Sequence, residues 1–267
     1  MDRIDRAVND LREMDELASG DSPVHHFSAL AKLTVTVVYI LTAVSFSPYD
    51  ASGLLMMVFY PLMIFQITGI PFRTYLYKMR FVLPLVLFVG LFNPLFDRRV
   101  MLVLGGLKIT GGMISMFTLM IKGMFCLSAS FLLAATVRID DLCAALRKIH
   151  MPDMIVTLLL LTYRYVSVLL DEASIMNEAY HLRAPGQKGI HVSAWGSFFG
   201  QLLLRSFDRA QELYESMRLR GYRGEFPYAR AEKEKGRDFL YATGWILFFV
   251  LCRYVNIPVL LGRLFVR

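Results

Sequence analysis

Residues 109–137 read ITGGMISMFTLMIKGMFCLSASFLLAATV, an apolar run interrupted by one charge, Lys122. Crossing the hydrocarbon core of a bilayer takes about 20 mostly apolar residues. This segment is long enough to do so, and the chain around it reads as a membrane protein. Toward the N-terminus lie three more candidates. Residues 27–47 carry only Lys32 near their start, residues 53–70 carry no charge, and residues 81–96 are uncharged but short. Residues 75–80 supply the missing length of the third, with Lys78 and Arg80 snorkelling to the interface. A fifth span covers residues 239–254 and is followed by an apolar, Pro-containing tail, 257–265.

The composition agrees. Of 267 residues, 56% are hydrophobic and 19% charged, and the mean hydropathy is +0.48. Soluble domains sit near ~45–50% apolar and ~25% charged, so an ordinary soluble enzyme, a disordered chain and a nucleic-acid binder are all disfavoured. The net charge of +7 has another source. Residues 138–237 hold 15 of the 29 Lys and Arg residues, and cationic loops stay on the cytoplasmic side. The first 22 residues lack the short apolar core of a signal peptide. Cys126, Cys143 and Cys252 are scattered, which suggests neither a disulfide framework nor a zinc site.

The expected organisation is therefore a polar N-terminal segment (1–26), a four-span region (27–137), a cytoplasmic helical block (138–237), and a C-terminal span with its tail (238–267). Five spans with that block inside give a cytoplasmic N-terminus and an external C-terminus. Arg98, Arg99 and Lys108 in the link after span three fit poorly outside, and Arg253, Arg263 and Arg267 argue against the external C-terminus.

The block reads as three helices. Asp140 caps a short one through Ile149, closed by Pro152. A second runs from Asp153 to Arg183, its first half apolar except for Arg164, and stops at Ala184-Pro185-Gly186. A third begins near Ser193 and ends at Arg220-Gly221. Trp195, Phe199, Leu202, Leu213 and Met217 fall near helical spacing and make an amphipathic face that needs a partner.

Chemistry-bearing motifs are few. The chain has no Gly-Lys-Ser/Thr phosphate loop, no His-Glu-x-x-His, no paired cysteines and no Gly-x-Ser-x-Gly. His25 and His26 are adjacent but lack a third ligand, so interfacial side chains are the plainer reading against a metal pair. His150, His181 and His191 form no constellation. Lys122 invites a substrate or proton path, because charge inside a span is costly; a polar helix–helix contact or a snorkelling side chain is the alternative. Met113, Met116, Met120 and Met124 form a stripe that suits a soft metal or, more simply, adaptable packing. Gly111, Gly112, Ser115, Ser128 and Ala129 allow helices to approach closely.

Two helix ends match. One closes with Leu182-Arg183-Ala184, the other with Leu219-Arg220-Gly221. A cation at a helix C-terminus is favourable by itself. Repeated in one block, the two read as tips that offer a guanidinium to acidic pockets, where its rigid fork can hold a carboxylate.

At these residues the chain resembles the transmembrane T component of energy-coupling-factor transporters, the EcfT/CbiQ family of vitamin and metal importers. The hallmark is two X-Arg-X motifs at the tips of coupling helices, matched here at 182–184 and 219–221. The run Trp195-Gly196-Ser197-Phe198-Phe199-Gly200-Gln201 through Arg205-Ser206-Phe207-Asp208-Arg209-Ala210 and on to Tyr222 is similar to the CbiQ branch for cobalt or nickel. Ala31-Lys32-Leu33 and Leu91-Phe92-Asn93-Pro94 are also family-like, and the resemblance covers about residues 25–225. Pro185 departs from the pattern at the first tip.

The resemblance implies an all-α membrane protein of about five spans, with coupling helices between the fourth and fifth. It implies a multi-pass subunit of a bacterial or archaeal cell membrane, with no reaction and no cofactor or metal site of its own. Arg183 and Arg220 would anchor in grooves of two cytoplasmic ABC ATPase subunits. ATP-driven motion would pass to a substrate-binding membrane subunit, a CbiM-like S component, for cobalt or nickel uptake. The rival reading is a stand-alone channel or secondary transporter with its pathway along the fourth span.

Overall fold

A computed structural model describes residues 3–80, 82–93, 100–104, 107–187, 189–222 and 236–254. In chain order the elements are α1 (Arg3–Ala18), α2 (Ala29–Ser45), α3 (Ala51–Leu55), a 3-10 turn (Met56–Val58), α4 (Phe59–Thr68), α5 (Phe72–Met79) and α6 (Leu83–Leu91). A hairpin of β1 (Val100–Leu104) and β2 (Leu107–Thr110) leads into α7 (Gly111–Thr136). Then come α8 (Ile139–Lys148), α9 (Asp153–Arg183), α10 (Val192–Leu219) and α11 (Gly236–Tyr254). The chain divides into two compact units, 17–138 with 232–267, and 1–16 with 139–231.

The first unit holds α2 to α7 and α11. Its centre is α2, which packs on both α7 and α11. Ser28 starts α2 by accepting from the Ala31 amide, 3.3 Å. The face of α2 at Val35, Tyr39 and Ala43 is wholly buried, while Val37, Leu41 and Val44 stay exposed. Tyr39 meets Tyr60 and Phe249, and Trp245 stacks on Phe249. The Tyr39 hydroxyl donates to the Met57 carbonyl at 3.0 Å, which satisfies a polar group that burial would otherwise penalise. A second ring cluster, Phe65, Phe72, Tyr75 and Phe131, joins α4 and α5 to α7.

α7 and α9 are each long and apolar enough to cross a membrane, and α2 and the 53–68 segment are shorter apolar helices. The expected continuous third span is instead a bent pair, α5 and α6, meeting at 58°. Pro84 lies in the first turn of α6; with no amide hydrogen it can start a helix but cannot continue the ladder from α5. The second candidate runs through the 3-10 turn without a break, since Leu55, Met56, Val58 and Phe59 all keep right-handed helical geometry, and residues 53–68 form one apolar helix. The hairpin was not expected. Its register pairs Val100 with Thr110 and Leu104 with Leu107. The protein is thus an all-helical membrane protein with one two-stranded ribbon. Pro94, Arg98, Arg99 and the tail 257–265, Arg263 and Arg267 included, lie outside the described residues.

α6 lies unusually close to α7. A Cβ built on Gly123 would stand 2.8 Å from Val86 Cγ1, so only glycine permits this approach. Gly111, Gly112, Ser128 and Ala129 are buried as well, as a close-packed face of small residues requires.

In the second unit α8 packs on α9 around buried Cys143, Val156 and Leu160. α8 ends in a Schellman motif: the Met151 amide donates to Leu146 and the His150 amide to Arg147, with His150 in the left-handed region at φ 64°. The Arg147–Asp153 pair at 2.8 Å then ties the end of α8 to the start of α9. The polar N-terminal segment contains α1, whose half-buried Val8, Leu11, Met14 and Leu17 make a helical stripe. Asp15 on α1 accepts from the Tyr163 hydroxyl on α9.

Candidate coupling site at the helix tips

α9 begins after Pro152 and ends at Arg183, as its sequence dictates. α10 follows after a short loop and ends at Leu219. An ion pair between Glu172 and Arg205 links the two helices. α10 buries no residue fully. Ala194, Phe198, Leu202, Ser206, Leu213 and Met217 are half-buried, a stripe at helical spacing. Trp195, Phe199, Leu203, Phe207 and Tyr214 lie on the adjoining flank and stay exposed. The expected single apolar face is therefore split: Leu202, Leu213 and Met217 sit on the half-buried stripe, and Trp195 and Phe199 on the open one.

The two tips have different local geometry. At the second, the Gly221 amide donates to Arg218 and the Tyr222 amide to Met217, both at 3.0 Å, a Schellman motif with Gly221 at φ 83°. Arg220 is the residue that leaves the helix, and its neighbour Leu219 is 89% exposed. At the first tip Pro185 prevents that arrangement. The Ala184 amide donates to Tyr180, and the loop folds back on the Tyr180 hydroxyl. That hydroxyl donates to Gln187 Oε1 at 2.9 Å and accepts from the His191 amide at 3.2 Å. Leu182 is 83% exposed, Arg183 and Pro185 are exposed and Ala184 is half-buried. Both tips thus expose a leucine–arginine pair, one held by a glycine turn and the other by a tyrosine.

The remaining candidates have structural surroundings. Lys122 Nζ donates to the Val44 carbonyl at 3.1 Å and to the Phe46 carbonyl, both at the end of α2. Met116 lies against Gly90 of α6, 3.3 Å from where a Cβ would be, with Met120 beside it; Met113 is 43% exposed. His25 Nε2 lies 3.0 Å from the Leu17 carbonyl and 3.3 Å from that of Ala135, and its Nδ1 is 2.7 Å from Ser22 Oγ. His26 turns to Asp21 at 2.9 Å. The adjacent histidines therefore diverge, and among the described residues no group of three or more His, Cys, Asp or Glu side chains is placed to hold a metal ion. Asn93 donates to Ser115 Oγ at 3.0 Å, joining the family-like Leu91-Phe92-Asn93 stretch to α7.

Lys32, which the sequence marks only as a charge near the start of the first span and part of the family-like Ala31-Lys32-Leu33, has a defined structural role. It is 5% exposed, and its Nζ donates to the Thr136 carbonyl at 2.8 Å and the His25 carbonyl at 3.2 Å. Its placement near the start of a span was the available signal; its partners were not. Asp238, also buried, accepts from the Ser28 amide at 3.2 Å and so supports the start of α2 from α11.

A family model described as cobalt transport protein, CbiQ, matches residues 20–229. The chain belongs to this family. The nickel permease LarQ of Lactiplantibacillus plantarum is 29% identical over 116 residues, 43% of this chain and 42% of that protein. The cobalt transport protein CbiQ of Rhodobacter capsulatus is 33% identical over 96 residues, 35% of this chain and 38% of its own. These matches span less than half the length of either relative. The energy-coupling factor transporter transmembrane protein EcfT of Listeria innocua is 26% identical over 263 residues, 92% of this chain and 94% of that one. The CbiQ family is one of transport proteins, and both tips fall inside the matched region.

Proposed function

We propose that this CbiQ-family chain is the energy-coupling membrane subunit of an ECF-type ABC importer, serving cobalt or nickel uptake and catalysing no reaction. It passes ATP-driven motion from two cytoplasmic ABC ATPase subunits to a substrate-binding, CbiM-like membrane subunit. It crosses the cell membrane several times, with a cytoplasmic N-terminus.

The observation that carries this reading is the pair of exposed Leu-Arg tips on two cross-linked helices. Counting from the Glu172–Arg205 link, Arg183 lies 11 residues along α9 and Arg220 lies 15 along α10. At 1.5 Å per residue those are helix paths of ~16 and ~22 Å, in opposite chain senses across a hairpin. Two separated cationic ends suit two separate acidic grooves better than one. The open flank of α10, from Trp195 to Tyr214, offers apolar surface for a membrane partner.

The test is the double variant Arg183→Ala/Arg220→Ala in the co-expressed complex. Both side chains are exposed, so membrane insertion of the subunit is expected to persist while ATPase co-purification or coupled metal uptake is lost. Normal assembly together with normal uptake would overturn the proposal.

A further inference from the structure

The first unit contains a groove of about 620 Å³ that the coupling reading does not use. Its floor is one stripe of α11, Arg237, Leu240, Tyr241, Gly244, Trp245 and Phe248, and its walls are Phe27, Phe59 and Met63. The stripe follows the 3–4 residue spacing of a single helix face. Aromatic contacts fix the lining: Phe27 stacks on Tyr241 at 4.4 Å, and Trp245 meets Phe248 edge-on at 5.8 Å. At Gly244 the floor drops away, since a Cβ there would meet nothing within 4 Å.

The groove is apolar along its length and cationic at one end, where exposed Arg237 stands in the first turn of α11. An occupant has to be amphiphilic, with an anionic head and an apolar tail. Length narrows the choice. From Arg237 to Phe248 the stripe rises ~16 Å, about half of a ~30 Å hydrocarbon core. A partner helix crossing the bilayer would need a groove of the full thickness, whereas an acyl chain of one leaflet needs half. The arginine also matches a phosphate in charge and in its forked geometry. We propose that this groove binds one anionic glycerophospholipid, its phosphate on Arg237 and an acyl chain lying over Gly244 between Phe27, Phe59 and Phe248.

The proposal does not depend on the coupling role, and its test is a direct lipid readout. The full chain, purified in mild detergent, is exposed to phosphatidylglycerol or phosphatidylcholine and weighed intact by native mass spectrometry. The wild type is expected to retain one phosphatidylglycerol at least several-fold more than phosphatidylcholine. Arg237→Gln should abolish that preference. Gly244→Phe, which places a ring in open space rather than in a packed core, should cut retention of both lipids. Equal retention by wild type and Gly244→Phe would overturn the site, and equal retention of the two lipids by wild type would overturn the headgroup assignment. A photo-reactive residue at Leu240 in native membranes should capture lipid; capture of a protein helix instead would overturn the proposal in favour of a subunit interface.

Discussion

Lys32 and Lys122 clamp one antiparallel helix pair from opposite ends. Lys32, in the first turn of α2, donates to the Thr136 carbonyl in the last turn of α7. Lys122 on α7 donates to the Val44 and Phe46 carbonyls at the end of α2. Each lysine thus satisfies carbonyls that a helix C-terminus leaves without intrahelical partners, and each cation meets the negative end of the other helix's dipole. Arg253 of α11 adds to the second clamp, donating to Ser45 Oγ and the Ser45 carbonyl, both at 3.3 Å, with its guanidinium 5.2 Å from the Phe46 ring.

The two clamps differ in burial, and so should their variants. Lys122→Met is expected to lower stability by about 1 kcal/mol, because Arg253 still serves the same helix end and the site is partly open. Uptake per folded molecule should be unchanged. Lys32→Met leaves two carbonyls short of a donor in a buried site and should cost about 2 kcal/mol. Thermal unfolding in detergent, paired with uptake normalised to folded protein, separates the effects. Loss of uptake by a stably folded Lys122→Met protein would show the lysine to be part of a transport path.

The α6–α7 contact predicts a coupled pair. Gly123→Ala should destabilise by about 1–3 kcal/mol, since its Cβ would collide with Val86, a β-branched side chain with little freedom to turn away. In the Gly123→Ala/Val86→Ala double variant much of that loss should return. Additive effects in the four-variant cycle would show that the two residues do not share the contact.

The Gly221 turn can be tested apart from the arginine it positions. Gly221 holds φ 83°, which costs an ordinary residue ~1–2 kcal/mol. Gly221→Val should unwind the last turn of α10 and, on the coupling proposal, reduce ATPase binding although Arg220 is still present. Gly221→Asn should retain most of it, since asparagine tolerates the left-handed region. Pull-down of the ATPase subunits measures both, and equal binding by the two variants would mean that the turn does not position Arg220.

Cys143 gives a pH-dependent reporter for the second unit. Burial, and then the neighbouring Asp140, push its thiol from an ordinary value of 9.0 up to about 11. The neutral thiol is favoured in the folded state, so this group's stabilising contribution is complete below pH ~9 and is lost as pH rises through ~11. Maleimide labelling of Cys143, followed by peptide mapping, should be slow in the folded protein at pH 7.5 and fast once the unit is unfolded. Rapid labelling at pH 7.5 with the fold intact would contradict the burial.

Much of the architecture was readable along the chain because it depends on near neighbours. Asp153–Arg183 emerges as one helix because nothing between Pro152 and Pro185 interrupts the ladder, and α10 stops at Gly221 because glycine accepts the left-handed turn. Both tip sequences were visible for the same reason. The break between α5 and α6 was missed because hydrophobic run length alone suggests one span; Pro84, in the first turn of α6, accounts for it. The ribbon had a signal as well: Val100–Leu104 and Leu107–Thr110 flank Gly105-Gly106, a pair suited to a two-residue hairpin turn.

Sequence alone therefore determined the membrane character, the helix ends and the two exposed arginine motifs, because hydrophobic run length, proline and glycine act locally. Tertiary structure decided what each isolated polar or small residue is for. Lys122 faces α2, Lys32 faces α7, Met116 rests on Gly90, and His25 and His26 turn apart. Those partners lie tens of residues away or on the far side of a turn, so only the packing of the helices brings the donors to their acceptors.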